Sequence, residues 1–245
     1  MAQTAIQLYS LRELEEPLPD VLNEIDETSF DGVEFAHRIR DADGTEVARA
    51  LERTGLTPAS AHVDLESLED DVSSTVEFYD RLGCDTFVVP YLDESHFESL
   101  EAVESTANRL SAVASDLAER GVDLHYHNHE HEFVPCGERT AMVELLERTG
   151  DVVGFELDLG WANVGGVDPV AFLERYEERI SLVHLADAET DSGSPTELGE
   201  GDLDLEGCFE AVERANVEWC IYEHDRPTDP RRSLSHGAET LDRLR

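Results

Sequence analysis

The stretch FELDLG, residues 155–160, is a short and mainly apolar run that ends in an aspartate and a glycine. Two similar runs follow along the chain, LVHLAD at residues 182–187 and CIYEHD at residues 220–225. Runs of this length and composition are typical of buried β-strands. Each of the three also carries a polar, metal-binding residue type where its strand is predicted to end. This combination favours a sheet whose strand ends form a polar site.

Eight strands of this kind are predicted, and stretches with helical periodicity, such as residues 72–82 and 100–120, lie between them. The predicted strands cover residues 5–8, 32–35, 57–62, 86–89, 123–127, 153–157, 181–184 and 220–223. Eight alternating units in 245 residues predict a single (β/α)8 TIM barrel over residues 1–245. An open, doubly wound sheet is the alternative. One long irregular stretch is expected at residues 187–204, after the seventh strand.

The net charge of −39 comes from 57 acidic and 18 basic residues, and every basic residue is an arginine. The absence of lysine excludes a Schiff-base lysine, a lysine general base and a phosphate-loop lysine. The acidity argues against a nucleic-acid partner, since phosphate backbones are bound by lysine and arginine. Such a composition is also typical of proteins adapted to molar salt, and we expect a halophilic, cytoplasmic protein.

The beginning of the chain lacks the features of a signal peptide, and no apolar stretch is long enough for a membrane span. We therefore expect no membrane association. The four cysteines have no CxxC spacing and are interpreted as reduced, partly buried thiols.

Polar residues collect at the predicted carboxyl ends of the strands, the rim where TIM barrels place their active sites. Asp158, His184 and Glu223 stand at the ends of three successive strands. Two carboxylates and an imidazole that converge on one mouth suit a divalent cation. Oxygen-rich ligation favours Mn²⁺ or Mg²⁺, and additional histidine favours Zn²⁺ or Co²⁺. The alternative is that each is a rim residue paired with an arginine.

The run HYHNHEHE at residues 125–132 is the second candidate for metal binding. Strand alternation places His125, His127 and His129 on one face, so that one of them, or Glu132 from the following loop, would complete the metal site. The alternative is a histidine-rich surface loop with adventitious metal affinity.

These motifs resemble those of the xylose isomerase-like TIM-barrel superfamily, in particular its sugar phosphate isomerase/epimerase branch, often labelled AP endonuclease family 2. The resemblance extends in order over essentially the whole chain. The matching stretches are IQLYSLR (6–12), DGVEFA (31–36), PASAHV (58–63), VVPYL (88–92), DLHYHNHEHEF (123–133), GFELDLGWANVGGVDP (154–169), LVHLAD (182–187), LGEGDLD (198–204) and IYEHD (221–225).

The resemblance implies one divalent metal held by an acid on strand 5, an aspartate on strand 6, a histidine on strand 7 and a glutamate on strand 8. Asp158, His184 and Glu223 match the last three positions, whereas His127 occupies the position of the strand-5 acid. Glu223 is then expected to act as a base, and His127 or Glu132 to take the place of the second base. A further departure is Ala186, where relatives often carry lysine.

The chemistry expected of such a site is proton abstraction next to a metal-chelated carbonyl, through an enediolate. We expect an isomerase or epimerase that acts on a ketose, keto-sugar or sugar phosphate, and we favour an unphosphorylated sugar or inositol derivative. The alternatives are an inosose-type dehydratase, an abasic-site DNA endonuclease and a non-catalytic metal-binding barrel. A homo-oligomer is also among the expectations. The candidate substrate-binding residues are Glu34, His62, His129, Trp161 and Arg226.

The acidic composition predicts that the protein is stable only in concentrated salt. The screening length is about 3 Å at 1 M salt and about 10 Å at 0.1 M. At the lower concentration the surface carboxylates therefore repel one another and destabilise the folded state. We expect the melting temperature to fall steeply when the salt is diluted, as followed by circular dichroism. An equal melting temperature at both salt concentrations would reject the halophile interpretation.

Overall fold

A computed structural model of the chain describes residues 2–215 and 217–245, and within them eight parallel strands close into a barrel. The strands follow one another around the barrel in chain order. They are β1 (Gln3–Gln7), β2 (Gly32–Phe35), β3 (Thr57–His62), β4 (Thr86–Val89), β5 (Asp123–His127), β6 (Gly154–Asp158), β7 (Ile180–Leu185) and β8 (Trp219–Tyr222). The predicted (β/α)8 barrel is confirmed, and an open sheet is excluded.

Helices lie between the strands and cover the outside of the barrel. They are α1 (Leu18–Asp26), α2 (Gly44–Thr54), α3 (Leu65–Asp80), α4 (Leu100–Ala118), α5 (Ala141–Thr149), α6 (Leu159–Val164), α7 (Pro169–Tyr176), α8 (Leu205–Arg214) and α9 (Pro230–Leu244). Helix α3 begins seven residues before the predicted periodic stretch and has a kink at Asp71 (φ −152°, ψ 75°). The Asp71 carboxylate accepts a hydrogen bond from Ser74 N and so caps the second, predicted part of the helix.

The barrel interior contains an apolar layer below the carboxyl ends of the strands. Strand alternation places residues two positions apart on the same face, so residues that precede the polar strand ends by two also point inward. Two positions before Gln7, His184 and Glu223 lie the apolar residues Ala5, Leu182 and Ile221, respectively. They belong to one buried cluster that consists of Ala5, Ala59, Val88, Leu182, Trp219 and Ile221. This layer closes the barrel from below and leaves the polar groups at the upper mouth.

The stretch expected to be irregular, residues 187–204, contains an antiparallel hairpin that pairs Asp187–Glu189 with Ser194–Thr196. Asp187 organises the rest of this segment. Its buried carboxylate accepts hydrogen bonds from the backbone N–H groups of Ala188, Gly199, Gly201 and Leu203 at 2.9–3.1 Å. A single carboxylate therefore satisfies four backbone donors and fixes the loop after β7.

Two further expectations concern the cysteines and the membrane. All four cysteines are free, as predicted, and they are buried rather than partly buried. Among residues 2–215 and 217–245, no helix is both long and apolar enough to cross a membrane.

Replacing Asp187 tests its role in the loop. Asp187→Ala leaves several buried N–H groups without an acceptor, and we expect a loss of about 2–4 kcal/mol in the free energy of unfolding. Urea denaturation measures the loss. Asp191→Ala is the matched control, because Asp191 is exposed in the same loop; we expect it to change stability by less than about 0.5 kcal/mol. Equal effects of the two substitutions would contradict the role assigned to Asp187.

Candidate functional site

The carboxyl ends of the strands surround a cavity of about 590 Å³ at one mouth of the barrel. Side chains from β3, β5 and the segment after β8 form its floor. The lining residues include His62, His127, His129, Glu223, Asp225 and Tyr91. Part of the predicted rim of polar residues, namely His62, His127, His129 and Glu223, therefore lines one cavity.

Four of the predicted residues come together at this floor. They are His127, Asp158, His184 and Glu223, and each offers one ligand atom within 4.8 Å of the others. All four side chains are buried, with at most 5% of each residue exposed. His184 Nδ1 lies 2.9 Å from Glu223 Oε2. Two carboxylates and two imidazoles at this spacing form a group able to hold a divalent cation.

The hydrogen bonding of Asp158 fits a bound cation. Its Oδ1 accepts a hydrogen bond from Trp161 N at 2.6 Å, so the residue also caps α6. Its Oδ2 is buried and has no hydrogen-bond partner among the described residues. Burial raises the pKa of Asp158 well above its ordinary value. A cation at this oxygen would supply the missing partner and favour the ionised form.

A second layer of buried charge lies directly below the four residues, and it contains Glu34 and Glu156. Glu156 Oε2 lies 3.0 Å from His127 Nδ1, 3.0 Å from His62 Nε2 and 3.2 Å from His184 Nε2. With these three histidines Glu156 forms a second group whose ligand atoms lie within 4.8 Å of one another. The two groups share His127 and His184.

Glu34 is held from several sides below the cavity. Its Oε2 accepts from Gln7 Nε2 at 2.5 Å and from His184 Nε2 at 2.6 Å, and its Oε1 accepts from Ser60 Oγ at 2.6 Å. The residue is fully buried. Both oxygens of its carboxylate therefore accept hydrogen bonds from other side chains of the protein.

Burial and charge compete in setting the pKa values of this layer. Burial would raise the pKa of Glu156, but the charge of His184 and hydrogen bonds from three histidines hold it well below its ordinary value. Burial would lower the pKa of His184, but Glu156, Glu34 and Glu223 raise it well above its ordinary value. The pKa of His62 is raised to about 10, because Glu34 and Glu156 outweigh the effect of burial. The layer thus holds negative charge next to positive charge.

Asn128 links the ends of β5 and β6. Its Oδ1 accepts from Asp158 N at 3.0 Å, and its Nδ2 donates to Asp158 O at 3.2 Å. The backbone ladder between these strands pairs residues up to His127 with Glu156. The amide side chain therefore continues the ladder by one residue and positions Asp158.

The structure does not bring Glu132 or His125 to the four-residue group. Glu132 accepts hydrogen bonds from Tyr126 Oη at 2.6 Å and from His129 N at 2.8 Å. Because Tyr126 alternates with the inward-facing His127, Glu132 lies behind the strand and supports the following loop. His125 points inward but lies lower in the barrel, where its Nε2 is 2.8 Å from Ser181 Oγ.

The candidate substrate-binding residues divide into three positions. His62 and His129 line the cavity, and the Trp161 ring packs against that of His129 with 5.9 Å between ring centroids. Glu34 lies in the layer below. Arg226 is exposed and is not part of the cavity lining.

Sequence reasoning missed Glu156, Gln7 and Asp225. Strand alternation contained the signal for Glu156, since it lies two residues before Asp158 and shares its inward face. Asp225 follows Glu223 by two residues and lines the cavity; burial and the charge of Glu223 raise its pKa to about 7.

Comparison with known families agrees with this geometry. A model of the xylose isomerase-like TIM barrel family matches residues 22–244. The chain belongs to this family. Its structure superposes with a TM-score of 0.83 on a sugar phosphate isomerase/epimerase from Parabacteroides distasonis ATCC 8503, at 20% identity over 98% of this chain and 94% of the other. The resemblance found in the sequence is confirmed.

Two curated relatives extend the comparison. The rhizopine catabolism protein MocC of Rhizobium meliloti is 24% identical over 268 aligned positions, which cover 93% of this chain and 82% of that protein. The inosose dehydratase of Geobacillus kaustophilus (strain HTA426) is 29% identical over 194 positions, which cover 70% of this chain and 62% of the relative.

Removing the Asn128 amide tests its link to Asp158. Asn128→Ala leaves the buried N–H and C=O of Asp158 unpaired, and we expect a loss of about 2–3 kcal/mol in the free energy of unfolding. The control is Asn108→Ala on the exposed face of α4, for which we expect almost no change. If both variants melt at the wild-type temperature, the amide does not hold β5 and β6 together.

Proposed function

We propose that the protein is a divalent-metal-dependent enzyme that abstracts a proton next to the carbonyl of a keto-sugar or keto-inositol. The observation that carries the proposal is the buried group of His127, Asp158, His184 and Glu223, in which Asp158 Oδ2 lacks a partner among the described residues. These four residues would hold the metal, and Mn²⁺ suits their mixed oxygen and nitrogen donors. The family membership supports a sugar or polyol substrate.

When bound, the cation would draw electron density from the carbonyl and the neighbouring hydroxyl, which acidifies the adjacent C–H bond. Glu223 lines the cavity and is placed to accept that proton. Burial would raise its pKa, but the charge and hydrogen bond of His184 lower it to about 2. The carboxylate is therefore ionised at neutral pH, as a base must be.

The outcome of the reaction depends on the group that returns the proton. Relatives with an acid on strand 5 have a second carboxylate there, and this chain has His127. We assign the return of the proton to His129, which lies on the cavity wall. Burial holds its pKa well below the ordinary value, so the resting imidazole is neutral. It would accept the proton that Glu223 has taken from carbon and, as imidazolium, would deliver it to the enediolate. Return at the neighbouring carbon gives an isomerase, and return on the opposite face gives an epimerase.

Dehydration is the second candidate, and a specific observation favours it. The inosose dehydratase of Geobacillus kaustophilus is the relative with 29% identity, and a site with one carboxylate base suits loss of a β-hydroxyl after proton abstraction. His129, after receiving the abstracted proton from Glu223, would deliver it as imidazolium to the departing hydroxyl, which leaves as water. Both candidates share the first step.

The lining of the cavity supports an unphosphorylated substrate. Arg40 is on the wall, but Asp64, Asp225 and Glu223 line the same cavity. Asp64, Glu223 and, in part, Asp225 thus balance the charges of Arg40 and protonated His62, so the lining offers no excess of positive charge for a phosphate dianion. Arg226, a candidate substrate-binding residue, is outside the lining.

The metal site can be tested without a substrate. We expect wild type to bind one equivalent of Mn²⁺ in equilibrium dialysis, and Asp158→Ala and Glu223→Ala to bind less than a tenth as tightly while remaining folded. Asp191→Ala, on the exposed loop, is the control. Undiminished binding by both site variants would reject the proposed metal group.

The shared first step can be tested by exchange in D₂O. We expect the Mn²⁺-loaded protein to introduce deuterium next to the carbonyl of scyllo-inosose or of a ketohexose, as observed by proton NMR. Glu223→Gln should slow the exchange about 10²–10⁴-fold, the usual contribution of a general base. The same spectra separate epimerisation from dehydration, which yields a new vinylic or methylene signal. Exchange at the wild-type rate in Glu223→Gln would assign the base elsewhere.

A further inference from the structure

We propose that Glu156 is a positioning residue, which holds the rings of His127 and His184 so that their opposite nitrogens face the metal site. This inference rests on the proposed function, because it concerns the same site. It adds a residue from the interior of β6 that does not line the cavity.

The first observation is that Glu156 contacts ring nitrogens rather than the cavity. Its Oε2 lies 3.0 Å from His127 Nδ1 and 3.2 Å from His184 Nε2. The residue is fully buried and is not part of the cavity lining. A carboxylate in this place accepts N–H hydrogen bonds, so it keeps the proton on the nitrogen that faces it.

The second observation concerns the opposite ring nitrogens. His184 Nδ1 faces Glu223, a member of the proposed metal group, at 2.9 Å. A proton on His184 Nε2 leaves the Nδ1 lone pair free for a cation beside Glu223. In the same way, a proton on His127 Nδ1 leaves His127 Nε2 free. Glu156 thus favours the metal-binding tautomer of His127 and, together with Glu34, that of His184.

The two histidines depend on Glu156 to different degrees. His184 Nε2 also lies 2.6 Å from Glu34 Oε2, so a second carboxylate supports that ring. Among the described residues, the hydrogen-bond partner of His127 Nδ1 is Glu156. Loss of Glu156 should therefore affect His127 more strongly than His184. The matching change, loss of Glu34, should affect His184.

Glu156 also provides the negative charge that His127 lacks. Asp158 and Glu223 contribute two carboxylates to the metal group, and the imidazole of His127 is uncharged as a ligand. Glu156 places a third carboxylate within hydrogen-bonding distance of that imidazole. Such a hydrogen bond makes the imidazole a stronger electron donor to a metal.

The test compares Glu156→Gln with wild type, each loaded with Zn²⁺ for NMR and titrated with Mn²⁺ for affinity. We expect the Mn²⁺ dissociation constant to rise about 10–100-fold, the usual effect of removing a partner of a metal-bound histidine. Long-range ¹H–¹⁵N spectra should show the His127 tautomer held in wild type and mixed in the variant. Glu147→Gln is the matched control, since it makes the same change at an exposed position of α5; we expect it to leave the affinity and the tautomer unchanged.

The outcomes separate this inference from the proposed function. If wild type binds no metal, the proposed function fails and the inference fails with it. If wild type binds metal and Glu156→Gln binds it equally well with the same tautomer, the inference alone is overturned. Two equivalents in wild type and one in Glu156→Gln would make Glu156 a ligand of a second metal, which also overturns it. Glu156→Asp should recover part of the affinity if a carboxylate is what the site requires.

Discussion

The burial of four carboxylates around three imidazoles at one end of the barrel is the constraint on which this site depends. Glu34 and Glu156 form a lower layer, and Asp158 and Glu223 form an upper one. Isolated carboxylates buried without partners would be strongly destabilising. In the lower layer histidines form hydrogen bonds with Glu34 Oε2 and Glu156 Oε2, whereas Glu156 Oε1 has no partner among the described residues. In the upper layer Asp158 Oδ2 also has no partner among the described residues, and the proposed cation would supply one.

The barrel makes this arrangement possible because each strand points every second residue inward. On β6 the same alternation places Gly154, Glu156 and Asp158 at successive heights. At the lowest height a side chain would collide with the His125 ring, since a Cβ on Gly154 would lie 2.4 Å from His125 Nε2. At the middle height Glu156 holds histidines, and at the top Asp158 reaches the metal group. Along β6, Gly154 therefore leaves space for the His125 ring, Glu156 supports the histidines, and Asp158 belongs to the proposed metal group.

Much of this could be predicted from the sequence. Strands β2, β3, β4 and β5 have the predicted bounds, because short apolar runs between turn residues mark buried strands. The sequence also predicted that Asp158, His184 and Glu223 would converge, since parallel strands bring their carboxyl ends to one mouth of the barrel.

The remaining features depend on contacts that periodicity does not show. Strand alternation places Glu156 on the inward face, but it does not show which histidines of the other strands Glu156 contacts. Glu132 was expected near the metal, but the loop after β5 turns it back towards Tyr126. The hairpin at residues 187–196 depends on Asp187, whose four backbone partners are up to sixteen residues away. These contacts are set by the path of the loops and not by strand or helix periodicity.

Diffraction from crystals soaked in Mn²⁺, collected at the manganese absorption edge, tests the central claim most directly. The account predicts one anomalous peak enclosed by His127, Asp158, His184 and Glu223, with Glu156 outside the coordination sphere. A peak enclosed by His62, His127, Glu156 and His184 instead, or no peak at the barrel mouth, would contradict it.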